Sequence, residues 1–317
     1  MVVARRLPAA GLELLAEHFE VDAGDSAFER AELLRRVPGA AAIVADPTVP
    51  VDAELLDAAG PDLKVVANFA VGYDNIDLDA CRRRGVVATN TPDVLTNATA
   101  ELTLALMLAA ARRVGEAERV LRRGDWTGWE PGQLLGRELS GATVGIIGLG
   151  RIGTRVAELL QGFRVRLLYT SRHAHPDSIW AEARLGLERV TLAELVEQAD
   201  FVTLHAPLTA ETRHLVDAEL LDRFKPGAVL VNTARGGLVD ARALADALRS
   251  GRLAAAGLDV FEHEPDVEPE LTALEQVVLL PHLGSATATA RDGMARLAAE
   301  NVIAVVAGKP PLTPVSA

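Results

Sequence analysis

The chain has little that could crosslink it. One cysteine, Cys81, stands among 317 residues, which excludes an internal disulfide framework and a cysteine-based zinc site. No metal site is expected, and Cys81 reads as a plain thiol on a short helix rather than a nucleophile. Cationic surface is scarce as well. Net charge is −12 and no basic block is longer than Arg82-Arg83-Arg84, which argues against nucleic acid or an anionic membrane as the main partner. Long apolar runs are missing, and the longest, residues 102–111, is far too short to span a bilayer. The opening Met-Val-Val-Ala-Arg-Arg-Leu-Pro carries no hydrophobic signal core, so a cytoplasmic location is expected. There are no internal repeats and no low-complexity segments.

What remains is an Ala/Leu/Val-rich chain, 49% apolar, of a length that suggests roughly two domains. Its first 90 or so residues alternate short apolar runs (2–4, 41–44, 64–67, 86–88) with helical stretches (8–18, 27–36, 52–59, 77–84). Repeated β-then-α units imply a parallel sheet covered on both faces. The breaker-rich Thr91-Pro-Asp-Val-Leu-Thr-Asn97 is a hinge candidate. It leads into one long expected helix, 98–122, with Asn97 as its cap and an apolar first half buried against more than one surface. A loop with two tryptophans, Trp126 and Trp129, follows.

A second βα series starts at Val144-Gly-Ile-Ile-Gly-Leu-Gly-Arg-Ile-Gly153. Gly148, Gly150 and Gly153 stand in the G-x-G-x-x-G register after an apolar strand and before a helical pattern. The first permits the tight turn, the second admits a pyrophosphate to bare backbone, and the third lets helix and strand pack closely. The helix N-terminus then offers free N–H groups to phosphate. A strand at 165–169 completes the βαβ unit of a dinucleotide site. That second strand runs out through Tyr169-Thr-Ser-Arg-His173, with no carboxylate to take a ribose 2′-OH. Ser171 and Arg172 suit a 2′-phosphate, so NADP(H) is favoured, with NAD(H) the alternative. Further strands are expected at 201–205, 228–232, 257–260 and 277–280, with helices at 192–199 and 241–249. A last helix, 287–307, is expected to return to the first domain. That division makes residues 1–96 with 287–317 one discontinuous domain and 97–286 the other.

Three expected strands each end on a polar residue in an apolar setting: Arg235, Glu264 and His282. Strand carboxyl ends face the ligand crevice in open α/β sheets. Taken singly, each has a bland reading, as a surface fork, a turn residue and a backbone-satisfied histidine. Together they bring a guanidinium, a carboxylate and an imidazole beside the nicotinamide end of a bound dinucleotide, which is much harder to dismiss.

At these residues the chain resembles the D-2-hydroxyacid dehydrogenase family, most of all its glyoxylate/hydroxypyruvate reductase branch. The likeness covers essentially the whole chain. It is carried by Asn68-Phe-Ala-Val-Gly-Tyr-Asp-Asn-Ile-Asp77, Thr99-Ala-Glu-Leu, Gly148 to Gly153, Leu204-His-Ala-Pro-Leu-Thr209, Asn232 to Gly237, Glu264-Pro265 and Pro281-His-Leu-Gly-Ser285. The resemblance implies two Rossmann-like or flavodoxin-like α/β domains with parallel sheets and an active-site cleft between them. It implies that Arg235 bridges the carboxylate and keto oxygen of a 2-oxo acid. His282 becomes the acid/base and Glu264 its partner, and Val71 and Gly72 offer backbone N–H groups to the substrate carboxylate. Thr99, Arg151 and Ile152 are expected at the pyrophosphate, and Pro207 and Thr212 at the adenosine half. Thr233, Ala234 and Asp259 are expected on the nicotinamide side, with Gly284 among the cofactor contacts. The same resemblance implies a homodimer through the 98–122 helix and its following loop, with Trp129 reaching the partner's site or simply packing in the interface.

The residues leave alternatives. A phosphoglycerate-dehydrogenase-like enzyme is the enzymatic rival, although many of those carry a further regulatory domain for which this chain leaves no room. Phosphite oxidation is disfavoured because Val71 stands where that enzyme uses lysine. A cofactor-sensing, corepressor-like interaction protein is the rival of another class, and an intact acid/base set weighs against it.

Overall fold

The computed structural model describes residues 1–172 and 176–315. They form two compact units, Met1–Leu95 together with the segment from Ala286 on, and Thr96–Ser285.

The first unit is built on five parallel strands: β1 (Val2–Val3), β2 (Asp22–Ala23), β3 (Ala42–Ala45), β4 (Val65–Asn68) and β5 (Val87–Thr89). Their order in the sheet is β2-β1-β3-β4-β5. The central strands β3 and β4 are buried along their whole length, as strands covered on both faces must be. Aspartates start the short helices. Asp52 accepts the Leu55 N–H at the head of Ala53–Ala59, and Asp77 accepts the Ala80 N–H at the head of Leu78–Arg84. The long helix Ala288–Val306, capped by Thr287, packs on Ala9–Ala16 and on β4. The two carboxyl-terminal ends of β4 and β5 hold one loop: Asn68 Nδ2 donates to Gly72 O and Asn90 Nδ2 to Val71 O, both at 2.8 Å.

The second unit carries seven parallel strands: β6 (Thr143–Ile147), β7 (Arg166–Thr170), β8 (Glu188–Arg189), β9 (Phe201–Leu204), β10 (Ala228–Asn232), β11 (Leu253–Leu258) and β12 (Val277–Leu279). The order β12-β11-β10-β9-β6-β7-β8 is that of a doubly wound dinucleotide fold. Its topological switch point lies between β6 and β9, so the glycine turn after β6 opens there. Capping follows the side chains. Thr191 and Glu194 form a full capping box on Leu192–Gln198, and Asp240 caps Ala241–Arg249.

The single helix expected over 98–122 is two. Thr96–Ala111 packs on β10, β11 and the helix Arg151–Leu160, while Val114–Arg123 is separate and has no buried residue. The break falls at Arg113, which turns left-handed (φ +53) and caps the second helix while its guanidinium pairs with Glu116. Asn97 is not the cap; it lies inside the first turn, and its Oδ1 accepts Arg155 Nε at 2.8 Å. Three other elements have too little apolar signal to be read from sequence. These are the two-residue edge strands β2 and β8 and the six-residue helix Ala218–Arg223. Among the described residues no helix is long and apolar enough to cross a membrane.

Candidate active site

The cofactor end begins at Gly148, whose φ of +95 turns the chain out of β6. A Cβ there would lie 2.7 Å from the backbone of His205 and Ala206 after β9, and one on Gly153 would lie 2.3 Å from Gly148 O. At Gly150 the space is open, with nothing within 4 Å of a built Cβ. Gly150 is also the N-cap of Arg151–Leu160, and no side chain caps that helix. The N–H groups of the first helical turn, Ile152 and Gly153 among them, therefore have no intrahelical partner. Bare backbone, open space and a positive helix end fit a pyrophosphate.

The neighbouring loops are held by their own polar groups. Thr212 Oγ1 donates to Pro207 O at 2.7 Å and accepts the Thr209 N–H at 2.8 Å, closing a turn beside the switch point. Half-buried His205 pairs with Thr203 Oγ1 at 3.0 Å, and loss of hydration around the ring pushes its imidazole down to about 3, so the ring is neutral. At the end of β7, Ser171 O accepts Arg189 Nη2 at 3.0 Å. The strand end carries no carboxylate, but the fold brings one from another loop: Glu211 lies 3.8 Å from the Arg172 guanidinium. His173 lies outside the described residues.

The second part of the candidate site is built beyond the tips of β10, β11 and β12. Asn232, buried at the end of β10, donates from Nδ2 to Arg235 O (2.8 Å) and accepts the Ala234 N–H (3.0 Å). Thr233 shares a 2.7 Å hydrogen bond with Thr103, and Thr99 donates to Gly284 O at 3.1 Å. Asp259, beyond the end of β11, is 1% exposed, and its two oxygens accept the N–H groups of Leu283 (2.6 Å) and Gly284 (2.7 Å). Burial pushes this carboxyl up, against those two N–H groups and the charge of His282. The grip fixes the turn in which His282 adopts a left-handed φ of +54.

Glu264 accepts His282 Nδ1 at 2.7 Å and the Phe261 N–H at 3.0 Å. Burial favours its neutral form, but the His282 and Phe261 hydrogen bonds and the charges of His282 and Arg235 outweigh that and hold it below the usual glutamate range. Arg235 is thus close enough for its charge to reach Glu264. A carboxylate only accepts, so His282 carries its proton on Nδ1 and leaves Nε2 for a reactant. Arg235, Glu264 and His282 stand together on the second unit. Val71 and Gly72 belong to the first, and Trp129 stands out at 79% exposed. Sequence reasoning assigned nothing to Asn232, to Arg189 or to the Glu262–Arg213–His214 cluster. A polar residue closing an all-apolar strand was the available signal for Asn232; the others meet only in three dimensions.

A switch-point glycine cradle on the same sheet edge as an imidazole–carboxylate pair defines a nicotinamide-dinucleotide oxidoreductase. Residues 104–284 match the family described as D-isomer specific 2-hydroxyacid dehydrogenase, NAD binding domain. The chain is 48% identical over 319 residues to a glyoxylate reductase of Thermococcus onnurineus, covering 99% of this chain and 94% of that one. It matches the crystal structure of the TT0316 protein of Thermus thermophilus with a TM-score of 0.91 and 46% identity, over 99% of both chains. An NADPH-dependent glyoxylate/hydroxypyruvate reductase of Sinorhizobium meliloti, solved with NADP and malonate, matches with a TM-score of 0.87 and 38% identity over 99% of this chain and 95% of that one. The chain belongs to the D-isomer-specific 2-hydroxyacid dehydrogenase family and is a nicotinamide-dependent enzyme of that kind.

Proposed function

We propose that this enzyme reduces glyoxylate or hydroxypyruvate to the 2-hydroxy acid, in the D configuration for hydroxypyruvate, with NADPH as the favoured reductant. The observation that carries the reading is the 2.7 Å bond between Glu264 and His282, within reach of the Arg235 charge. Arg235 offers a planar fork to the substrate carboxylate and keto oxygen. Protonated His282 donates from Nε2 to the keto oxygen, and Glu264 balances the imidazolium charge before that transfer. A nicotinamide held at this edge would supply the hydride, and Arg235 and His282 would stabilise the negative charge that builds on the keto oxygen. Asp259 holds the His282 turn, and Thr99 ties its far end through Gly284.

The open turn at Gly150 and the N–H groups of Ile152 and Gly153 would hold the pyrophosphate, and the turn of Pro207 and Thr212 the adenosine half. Ser171 and Arg172 would meet a 2′-phosphate. Glu211 competes for Arg172, but that exposed pair is worth little, and a phosphate displaces it readily. In the first unit, the carbonyls of Val71 and Gly72 are taken by Asn90 and Asn68. Their N–H groups donate to no acceptor among the described residues, which suits them to an anion. Val114, Leu121, Trp126, Trp129 and Leu135 are all exposed, and a homodimer through 114–135 would cover them.

The test is NADPH and NADH oxidation with a panel of 2-oxo acids. Turnover with glyoxylate and hydroxypyruvate, and its loss by about 10²–10⁴-fold in His282→Ala, is expected. Near-normal turnover in that variant overturns the acid/base assignment. Silence with every small 2-oxo acid overturns the substrate class.

A further inference from the structure

The loop that carries Glu264 runs between two imidazole–carboxylate pairs. Glu264 accepts His282 Nδ1, and Glu262, two residues earlier, accepts His214 Nε2 at 2.8 Å and Arg213 Nη1. The Glu262 side chain is only 15% exposed, so water competes weakly for it. Nothing in the chemistry above uses this second pair.

Its surroundings show what it holds. His214 is a non-glycine residue at φ +51, a strained conformation that persists only where its surroundings over-determine it. The imidazole is tied to Glu262, and the His214 N–H donates to Gly237 O at 2.8 Å. The next link is Val216 N–H to Leu238 O at 2.9 Å. Gly236 lies so close beneath the Glu262 loop that a Cβ would sit 1.9 Å from the Phe261 carbonyl carbon. Segments 207–216, 235–239 and 261–265 are therefore locked to one another. Arg235 immediately precedes the contact, and Glu264 closely follows it.

We infer that Glu262 is a positioning residue: clasped by Arg213 and His214, it fixes the 261–265 loop and, through it, the places of both Glu264 and Arg235. The inference rests on the acid/base reading proposed above. It also joins the adenosine-side turn of Pro207 and Thr212 mechanically to the acid/base pair.

The experiment compares Glu262→Gln and His282→Ala with the unaltered chain, using glyoxylate and whichever nicotinamide dinucleotide supports turnover. Glu262→Gln is expected to lower kcat by about ten- to a hundredfold, as a displacement on the order of 1 Å does, while cofactor affinity is retained. The acid limb of its pH profile should move to higher pH, because Glu264 loses its fixed partner and returns toward the ordinary carboxylate range. A lowered melting temperature with unaltered kcat and acid limb overturns the inference, since a scaffold role alone does that. Persisting turnover in His282→Ala instead overturns the acid/base reading, whatever Glu262→Gln does. Should Glu262→Gln not fold, His214→Gln and Arg213→Met each remove one clasp. Lowered kcat in both supports the inference, and wild-type kcat in both overturns it.

Discussion

Replacing Glu264 by glutamine keeps the shape of the proposed acid/base pair with His282 and removes the carboxylate charge. The magnitude follows from two limits. A buried charge-assisted hydrogen bond contributes up to about 3 kcal/mol, and a fully exposed ion pair less than about 1 kcal/mol. The side chains of His282 and Glu264 are 36% and 30% exposed, between those limits, so about 2 kcal/mol is lost. At 1.36 kcal/mol for each factor of ten, kcat/KM for the 2-oxo acid should fall about thirtyfold at neutral pH. The pH profile carries a second signature. Glu264 sits below the usual glutamate range, so it remains charged down to its lowered value and activity falls only as pH passes through it. Glutamine has no such group, and that acid limb should vanish. Initial rates of NADPH loss with glyoxylate across the pH range read both effects. A variant within about twofold of the parent, against the thirtyfold worked from this geometry, would refute the claim that Glu264 sustains the acid.

Other substitutions probe the supports of that pair. Asp259→Ala leaves the Leu283 and Gly284 N–H groups without acceptors and should cost about 1–3 kcal/mol for each; an unchanged urea midpoint would contradict this. His205, lowered to about 3, stays neutral in the folded chain while the unfolded chain takes up a proton below its ordinary 6.5. Stability should therefore fall as pH drops from about 6.5 toward 3, by up to about 1.4 kcal/mol per unit. In His205→Gln that part of the slope should flatten, as followed by thermal melting between those pH values. Arg172→Leu should weaken NADPH far more than NADH; equal losses would remove Arg172 from the 2′-phosphate site.

Much of this chain is legible because its signals are local. Alternating apolar runs with Asp, Thr and Gly at their borders specify parallel strands and helices, since burial on both faces and the capping of free N–H groups act over a few residues. The glycine register 148, 150, 153 works the same way, because one turn must be tight, open and close-packed at once. Arg235, Glu264 and His282 could be singled out because each lies in the loop that follows an apolar strand, and strand ends in a parallel sheet share one edge. Where a local rule had a competitor, the reading failed. Arg113 breaks the 98–122 helix because its pairing with Glu116 supports a left-handed cap that no apolar periodicity announces.

Tertiary structure alone decided which polar groups meet. Nothing near Asp259 in sequence says that its oxygens will be taken by Leu283 and Gly284, and nothing near Glu262 points to Arg213 and His214. The approach of Glu211 to Arg172 is equally invisible, because a hydrogen bond or ion pair depends on distances of a few ångströms that only the crossing of distant strands creates. Local pattern determined which chemical groups this protein carries to its sheet edge, and packing determined which of them hold the others in place.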